Sequence, residues 1–388
     1  MRIDLSKRLK ALPPYLFVEI DKAVKDAIAR GKDLIDLGIG DPDTPTPRYI
    51  IEAMNKALED KANHRYALDQ GLPELREQIA AWYKARFGVL LDPEREVLPL
   101  LGSKEGIAHI PLAFINPGDS ALVPDPCYPP YRSGVIFAGG EIITMPLKEE
   151  NGFLPAIDEL KQKDAKRAKL IYLNSPNNPT SAVAEVDFFD GIVQFAQKND
   201  LIVCHDGAYS EISYDGYRPK SFLEAEGAKE VGVEFHSLSK TFNMTGWRVG
   251  FVCGNRDVVA ALAKVKANID SGIFTAIQRA AIVALSSGDK HVREMQSLYQ
   301  GRRDVLLNGL NKLGMHIPQP PKASFYVWVS VPKGSDSSSF AKRIIDEADL
   351  VVTPGIGFGK YGEGYIRIAL TVDENRLKEA IDRLKKII

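Results

Sequence analysis

Short apolar runs recur between residues 97 and 252, and each ends in a polar or glycine-containing turn before a helical pattern begins. The runs are apolar on both faces, which is typical of strands in a sheet that helices cover on both sides. Their alternation with helices predicts a three-layer α/β/α domain with a mostly parallel sheet. They lie at residues 97–101, 121–124, 170–173, 201–204, 231–235 and 249–252.

The pattern changes beyond about residue 257, where a long helical region extends to about residue 313. Alternating strands follow at 324–331 and 365–370, and a last helix at 374–387. Earlier in the chain, helices are predicted at 17–29, from 47 and at 72–87, with a short strand at 34–37. We interpret Arg302 and Arg303 as part of a solvated helix face.

These patterns predict two domains and an arm. Residues 1–45 form an N-terminal arm and part of the small domain, 46–285 a large cofactor-binding domain, and 286–388 a small α+β C-terminal domain. Repeats, low-complexity tracts and linkers are not apparent in the sequence.

Composition narrows the class of protein. The 388 residues are 45% hydrophobic and 26% charged, with a formal net charge of −1, which gives no bulk attraction to nucleic acid or to an anionic membrane. The three cysteines form no CxxC pair and are predicted to be buried thiols, and the histidines have no metal-ligand spacing. No apolar run approaches the length of a membrane span and no signal peptide is recognised, so we expect a cytoplasmic protein.

One stretch, residues 237–248, carries the first chemical signal. Lys240 is flanked by the hydroxyls of Ser237 and Ser239, and Arg248 follows eight residues later. Such a lysine is most often a solvated surface residue. It can also form a Schiff base with an aldehyde whose phosphate the hydroxyls and the arginine hold.

Residues at other predicted strand ends complete this second interpretation. Ser103 after Gly102 can bind phosphate at a helix N-terminus, or can simply cap the helix. Asp206 can pair with a pyridinium N–H, or be a loop carboxylate. Tyr209 and Asn178 can both donate to the phenolate oxygen of the ring, although Asn178-Pro179 is a plain turn in most proteins.

Two more residues fit the same site. Tyr128 can stack on a flat ring, although an isolated tyrosine is more often part of a core. Arg367 alternates with Ile366 and Ile368 along a predicted strand and can clamp a carboxylate with two hydrogen bonds. Ligands bind at the carboxyl ends of strands in open α/β sheets, so residues at successive strand ends can converge. Each signal is weak alone, and their combination favours one shared site.

Found together in this order, Asn178-Pro179, Asp206-x-x-Tyr209 and Ser237-x-Ser239-Lys240 with Arg248 resemble the fold type I pyridoxal-phosphate (PLP) enzymes, specifically the class I and II aminotransferases. The resemblance covers essentially the whole chain. Within that class the chain is most similar to the LL-diaminopimelate aminotransferase family. That similarity rests on LPPYLF at 12–17, LGIGDPD at 37–43, GSKEGIAH at 102–109, HD at 205–206, YSEI at 209–212 and NMTGWR at 243–248.

The resemblance implies pyridoxal 5′-phosphate as cofactor and Lys240, Asp206 and Tyr209 as catalytic residues. It implies amino-acid substrate contacts from Tyr15, Gly40, Lys104, Tyr128, Asn178 and Arg367. It implies cofactor contacts from Ser103, Lys104, Tyr128, Asn178, Asp206, Tyr209, Ser237, Ser239, Lys240 and Arg248. Tyr66 of the partner subunit would also reach the cofactor phosphate, which implies a homodimer with shared active sites, and no metal is implied.

The implied reaction is ping-pong transamination between LL-2,6-diaminopimelate and 2-oxoglutarate, with lysine biosynthesis as its physiological setting. Aminotransfer from aspartate, alanine or an aromatic amino acid is the nearest alternative, a β-lyase is a weaker one, and a non-catalytic PLP-sensing regulator is remote. The chain departs from the family at Ser181 and Cys127, where glycine is common, and a φ > 0 requirement there would cost energy. Some family members have an asparagine in the substrate pocket, and the resemblance implies that its counterpart here would fall near 268–271.

Overall fold

Strands and helices alternate along most of the chain. The computed structural model describes residues 3–12, 17–67 and 69–388. Within these ranges the strands are β1 (Ile35–Asp36), β2 (Val97–Leu100), β3 (Ser120–Asp125), β4 (Glu141–Pro146), β5 (Ala168–Asn174), β6 (Ile202–Asp206), β7 (Gly232–Ser237), β8 (Gly250–Gly254), β9 (Tyr326–Ser330), β10 (Leu350–Val351), β11 (Thr353–Pro354) and β12 (Tyr365–Ala369).

The helices lie between and around these strands. Among the described residues they are α1 (Lys7–Lys10), α2 (Phe17–Ala29), α3 (Arg48–Leu58), α4 (Pro73–Phe87), α5 (Ser103–Phe114), α6 (Pro130–Ala138), α7 (Gln162–Arg167), α8 (Val186–Asn199), α9 (Ala228–Val231), α10 (Leu238–Thr241), α11 (Arg256–Lys266), α12 (Thr275–Ser287), α13 (Asp289–Lys312), α14 (Ser337–Ala348) and α15 (Glu374–Leu384).

The central sheet has the strand order β2-β8-β7-β6-β5-β3-β4. Only β8 runs antiparallel to its neighbours in this sheet, so the predicted mostly parallel sheet is confirmed. Because β8 is reversed, its first residue lies at the edge where the parallel strands end. Leu100 of β2, Gly250 of β8 and Ser237 of β7 are in register there. The turns after β2 and β7 and the turn before β8 therefore meet at one place.

Apolar side chains cover both faces of this sheet, as the two-sided apolar runs predict. Ile79 of α4, Phe189 of α8 and Ala280 of α12 belong to the cluster on one face. Ile107 of α5 and Val258 of α11 belong to the cluster on the other. The sheet thus lies between two helical layers, and a rigid edge is available to carry functional side chains.

A second, smaller sheet lies in the C-terminal part of the chain. It has the order β11-β12-β9 with antiparallel neighbours. The N-terminal strand β1 pairs in parallel with β10, and Leu37 accepts a hydrogen bond from the backbone of Ala369, so residues 35–40 are held against this unit. Its core includes Phe325, Val327 and Ile368. The division of the chain at residues 46 and 286 stays a prediction.

The interpretation of Arg302 and Arg303 as a solvated face is wrong. Both side chains are buried, because distant carboxylates pair with them. The two terminal nitrogens of Arg302 each lie 2.7 Å from an oxygen of Asp43, and Arg303 donates to Asp215 at 2.7 Å. The first pair ties the turn that follows β1 to the long helix α13.

Other expectations have mixed outcomes. The predicted helices α2 and α4 are confirmed, and Gly88 in left-handed conformation ends α4.

The edge strand β4 was not predicted, because its first residue, Glu141, is exposed and its neighbours are partly exposed, which weakens the apolar pattern. The three cysteines are free and buried, as predicted. Within the described ranges, every helix is too short or too polar to cross a lipid bilayer.

Candidate active site

A cavity of about 320 Å³ opens at the carboxyl edge of the central sheet. Its lining contains every residue that was predicted to hold the cofactor except Tyr66. These are Ser103, Lys104, Tyr128, Asn178, Asp206, Tyr209, Ser237, Ser239, Lys240 and Arg248, together with Ile39, Asp41, Ala208 and Thr245. The local turns predicted at strand ends therefore converge, as the topology of the sheet requires.

Lys240 lies in the short helix α10, directly after β7. Its Nζ donates a hydrogen bond to the backbone oxygen of Gly40 at 2.6 Å. Burial is the largest cause that lowers the pKa of Lys240, to about 8. The charge of Asp41 opposes this shift, and the charges of Arg367 and Arg248 add to it. An amine with this pKa is partly neutral near pH 7–8, the form that attacks an aldehyde.

The residues around Arg248 form a cup suited to a phosphate. Arg248 has left-handed backbone geometry (φ 53°), and its guanidinium lies 3.4 Å from the Ser239 hydroxyl. Ser103 begins α5, where backbone N–H groups favour anions. Gly102 precedes it with φ 80°, and a β-carbon on Gly102 would overlap the guanidinium of Arg248. Glycine is required at this position for two independent reasons.

Asp206 ends β6, is almost fully buried, and lines the same cavity. Its oxygens accept hydrogen bonds from the Tyr131 hydroxyl at 2.8 Å and the Ala208 backbone at 3.1 Å. Burial raises the pKa of Asp206, although these hydrogen bonds and the charges of nearby histidines oppose the rise. No lysine or arginine among the described residues pairs with this carboxylate. A protonated ring nitrogen would supply the missing cation.

A buried polar cluster that was not predicted lies next to Asp206 in the sheet, centred on Glu234. Glu234 of β7 accepts hydrogen bonds from His205 Nδ1 at 2.9 Å, His236 Nε2 at 2.6 Å and the Tyr83 hydroxyl at 2.7 Å. Burial alone would raise the pKa of Glu234, but the two histidines lower it well below its usual range. The carboxylate thus stays ionised and links β6 to β7 beside Asp206.

Tyr209 and Asn178 both line the cavity, as predicted for ring-oxygen donors. The hydroxyl of Tyr209 lies 3.2 Å from that of Tyr326, and burial raises the pKa of Tyr209 well above its usual range, so it stays protonated. The amide oxygen of Asn178 accepts from Arg367 Nη1 at 2.7 Å. The amide nitrogen of Asn178 is therefore the atom left to donate to a ligand.

Arg367 is buried behind Asn178 and is not part of the cavity lining. Its Nη2 donates to the backbone oxygen of Gly38 at 2.7 Å. Its guanidinium lies 4.1 Å from the ring centre of Tyr326 and 4.7 Å from that of Phe358. The buried Nε has no hydrogen-bond partner among the described residues, so a donor remains for an incoming carboxylate.

The other predicted residues have different placements. Tyr128 lies edge-on to the ring of Tyr131, with 5.8 Å between ring centres. Gly40 reaches the site through its carbonyl group. Tyr66 is 91% exposed and does not line this cavity, and Tyr15 lies outside the described residues. No cluster of side chains suited to a metal ion is present in the described part of the chain.

The two departures from the family pattern have different consequences. Ser181 has a left-handed backbone (φ 59°), so a serine bears a strain that glycine would avoid, and its hydroxyl donates to the Tyr326 carbonyl at 2.8 Å. Cys127 is not among the residues with positive φ, so a side chain there carries no such cost.

Sequence reasoning missed Tyr131 and Tyr326. Tyr131 lies in α6, 75 residues before Asp206, with no local motif. Tyr326 carried a weak signal, since it alternates with Trp328 along β9, the strand that pairs with the strand of Arg367.

The whole lining fits PLP. It contains the carboxylate of Asp206, which has no paired lysine or arginine among the described residues, the anion cup around Arg248, and the Lys240 amine, whose pKa is lowered. Such a set matches the ring nitrogen, phosphate and aldehyde of that cofactor.

Comparisons with known proteins agree with this chemistry. The family model "Aminotransferase class I and II" matches residues 32–384. The chain is 55% identical to "LL-diaminopimelate aminotransferase" of Syntrophobacter fumaroxidans over 98% of each protein. It is 53% identical to the protein of the same name from Moorella thermoacetica, over 99% of this chain and 98% of that protein.

Among solved structures, substrate-bound BacF from Bacillus subtilis superposes with a TM-score of 0.95 at 39% identity, covering 100% of this chain and 98% of that chain. The chain belongs to the class I and II aminotransferases, which are PLP-dependent enzymes.

Proposed function

We propose that this aminotransferase moves the amino group of LL-2,6-diaminopimelate to 2-oxoglutarate, and that in the cell it makes LL-diaminopimelate from tetrahydrodipicolinate for lysine biosynthesis. The observation that carries the proposal is the convergence of Lys240, Asp206 and the Arg248 cup on one cavity. The names and full-length similarity of the curated relatives favour diaminopimelate as the substrate.

When bound, PLP supplies an electron sink for the pair left behind when the substrate α-carbon loses its proton. In the proposed roles, Asp206 keeps the ring nitrogen protonated, and Tyr209 and Asn178 donate to the ring oxygen. Ser103, Ser237, Ser239 and Arg248 hold the phosphate. Lys240 takes the proton from the α-carbon, for which a pKa of about 8 is well placed.

Substrate recognition is proposed to begin at Arg367, which clamps the α-carboxylate. Lys104 is exposed and lines the cavity, which supports the proposal that it contacts the second carboxylate of a long substrate. The family resemblance also implies substrate contacts from Tyr15 and Gly40. Of these, the carbonyl of Gly40 lies beside the Lys240 amine.

The active unit is proposed to be a homodimer. Tyr66 is exposed to solvent in the isolated chain, as expected of a residue that reaches across to the cofactor phosphate of the partner subunit. A cytoplasmic location also stays a prediction from the sequence.

The test is a coupled assay with 2-oxoglutarate and a panel of donors. LL-diaminopimelate should exceed aspartate, alanine, aromatic amino acids and meso-diaminopimelate in kcat/KM by at least tenfold. Equal or faster turnover of one of the other donors would assign the enzyme to that substrate. Absence of transfer from every donor would contradict aminotransfer itself.

A further inference from the structure

Tyr326 lies at a junction between the residues proposed for the cofactor and those proposed for the substrate. Its hydroxyl is 3.2 Å from the hydroxyl of Tyr209. Its ring lies under the guanidinium of Arg367, with 4.1 Å between the Cζ atom of Arg367 and the ring centre. Its hydroxyl also packs so closely on Gly40 that a β-carbon on that residue would overlap it. The side chain is 3% exposed.

The direction of the hydrogen bond between the two hydroxyls follows from their surroundings. Each tyrosine hydroxyl has a single proton to donate. Among the described residues, the two hydroxyls bond only to each other. If Tyr209 gives its proton to the ring oxygen of the cofactor, Tyr326 must be the donor in the pair. A donor behind Tyr209 polarises its O–H bond and strengthens its own donation.

The ring of Tyr326 makes a separate contribution. The guanidinium of Arg367 contacts the ring of Tyr326 and also the ring of Phe358, whose centre lies 4.7 Å away. Aromatic faces attract a guanidinium and fix its plane, which prepares it for a bidentate carboxylate.

The backbone of Tyr326 is itself held in place. Its carbonyl accepts a hydrogen bond from Ser181 at 2.8 Å, and Tyr326 pairs with Ala369 across β9 and β12. Ser181 is the position where glycine is common in the family, so this chain adds a side-chain anchor on the strand of Tyr326.

We propose that Tyr326 is a positioning residue with two separable parts: its hydroxyl strengthens Tyr209 as a donor to the cofactor, and its ring orients Arg367 for the substrate carboxylate. The hydroxyl part rests on the proposed role of Tyr209. Charges that act on the Tyr209 hydroxyl come from Arg367 of β12 and Asp206 of β6, and both are retained in the variants below.

The first experiment titrates the visible absorbance of the holoenzyme between pH 5 and 10. A hydrogen bond to the deprotonated ring oxygen favours that form, so weaker donation moves the midpoint to higher pH. Tyr326→Phe should raise the midpoint by about 0.3–0.7 pH units, a fraction of the rise caused by Tyr209→Phe. Tyr299→Phe is the matched control, because its buried hydroxyl has no partner among the described residues and should leave the midpoint unchanged.

The second experiment separates the ring from the hydroxyl. Tyr326→Phe keeps the ring and should leave KM for the amino donor within about twofold. Tyr326→Leu should raise KM about five- to thirtyfold, while its absorbance midpoint matches that of Tyr326→Phe. Thermal unfolding checks that the variants are folded, and Tyr326→Phe alone still tests the hydroxyl part if Tyr326→Leu does not fold.

The outcomes distinguish the inference from the function on which it rests. A midpoint in Tyr326→Phe equal to that of the unmodified enzyme, with a shifted midpoint in Tyr209→Phe, overturns the hydroxyl part alone. An unchanged KM in folded Tyr326→Leu overturns the ring part. An unmoved midpoint in Tyr209→Phe overturns the proposed role of Tyr209, and with it the hydroxyl part.

Discussion

Replacing Lys240 by methionine should make the cofactor-free protein more stable at neutral pH while removing its activity. The amine is largely buried, and burial lowers its pKa from 10.5 to about 8. At pH 7 the folded protein must therefore hold a cation that is better solvated in the unfolded chain. Methionine has a similar length and carries no charge.

The magnitude follows from linkage between protonation and folding. The fall in the pKa of Lys240 from 10.5 to about 8 destabilises the folded state by about 3 kcal/mol at pH 7, at about 1.4 kcal/mol per pKa unit. The sign is that of a base with a lowered pKa: the cost is full below pH 8 and fades as pH rises towards 10.5. Loss of the hydrogen bond to Gly40 subtracts about 1 kcal/mol. Lys240→Met should thus gain about 2 kcal/mol at pH 7.

Urea unfolding of the apo proteins at one fixed protein concentration measures this difference, since the stability of the proposed homodimer would depend on concentration. At pH 10 the advantage of the variant should fall by about 2 kcal/mol, because above about pH 8 the folded lysine is neutral while the unfolded lysine still binds a proton, so a rise in pH stabilises the unmodified protein. The hydrogen-bond term does not change with pH and cancels in this comparison. If the stability advantage of Lys240→Met is absent at pH 7, or is identical at both pH values, the claim that the buried Lys240 cation destabilises the folded state is refuted.

Two further substitutions test the phosphate cup around Arg248 and the carboxylate of Asp206. Gly102→Ala should weaken PLP binding at least tenfold in a fluorescence titration, because the added β-carbon displaces the guanidinium of Arg248. Gly88→Ala is the control, since Gly88 has a similar φ but open space around its α-carbon. This control should keep its affinity for PLP and lose only about 1 kcal/mol of stability. Tyr131→Phe removes the hydrogen bond to the buried carboxylate of Asp206, and such a bond contributes about 1.5–3 kcal/mol. The value of kcat/KM should therefore fall about tenfold or more. An unchanged kcat/KM would show that Asp206 does not need this hydrogen bond.

The fold was largely predictable because its strands carry local signals. Apolar runs on both faces predicted the parallel sheet, and the turns after them predicted Ser103, Asp206 and Lys240 at one edge. The topology then brings these residues together whatever the details of packing, because the ends of β2 and β7 and the start of β8 are in register.

What the sequence did not predict depends on contacts between distant segments. Arg302 has the pattern of an exposed helical residue, and its burial depends on distant partners, chiefly the carboxylate of Asp43, 259 positions away. Tyr131 and Tyr326 resemble ordinary core tyrosines, and their roles depend on which hydroxyl or carboxylate they meet in the folded chain. Local patterns contain no information on such pairings.

The most direct test of the central claim, that Lys240 carries the cofactor, is chemical trapping. Borohydride reduction of the PLP-loaded enzyme, followed by proteolysis and mass spectrometry, should find the pyridoxyl phosphate group on the peptide that contains Lys240 and on no other lysine. A label on another lysine, or a Lys240→Ala variant that is trapped as well as the unmodified enzyme, would contradict the account.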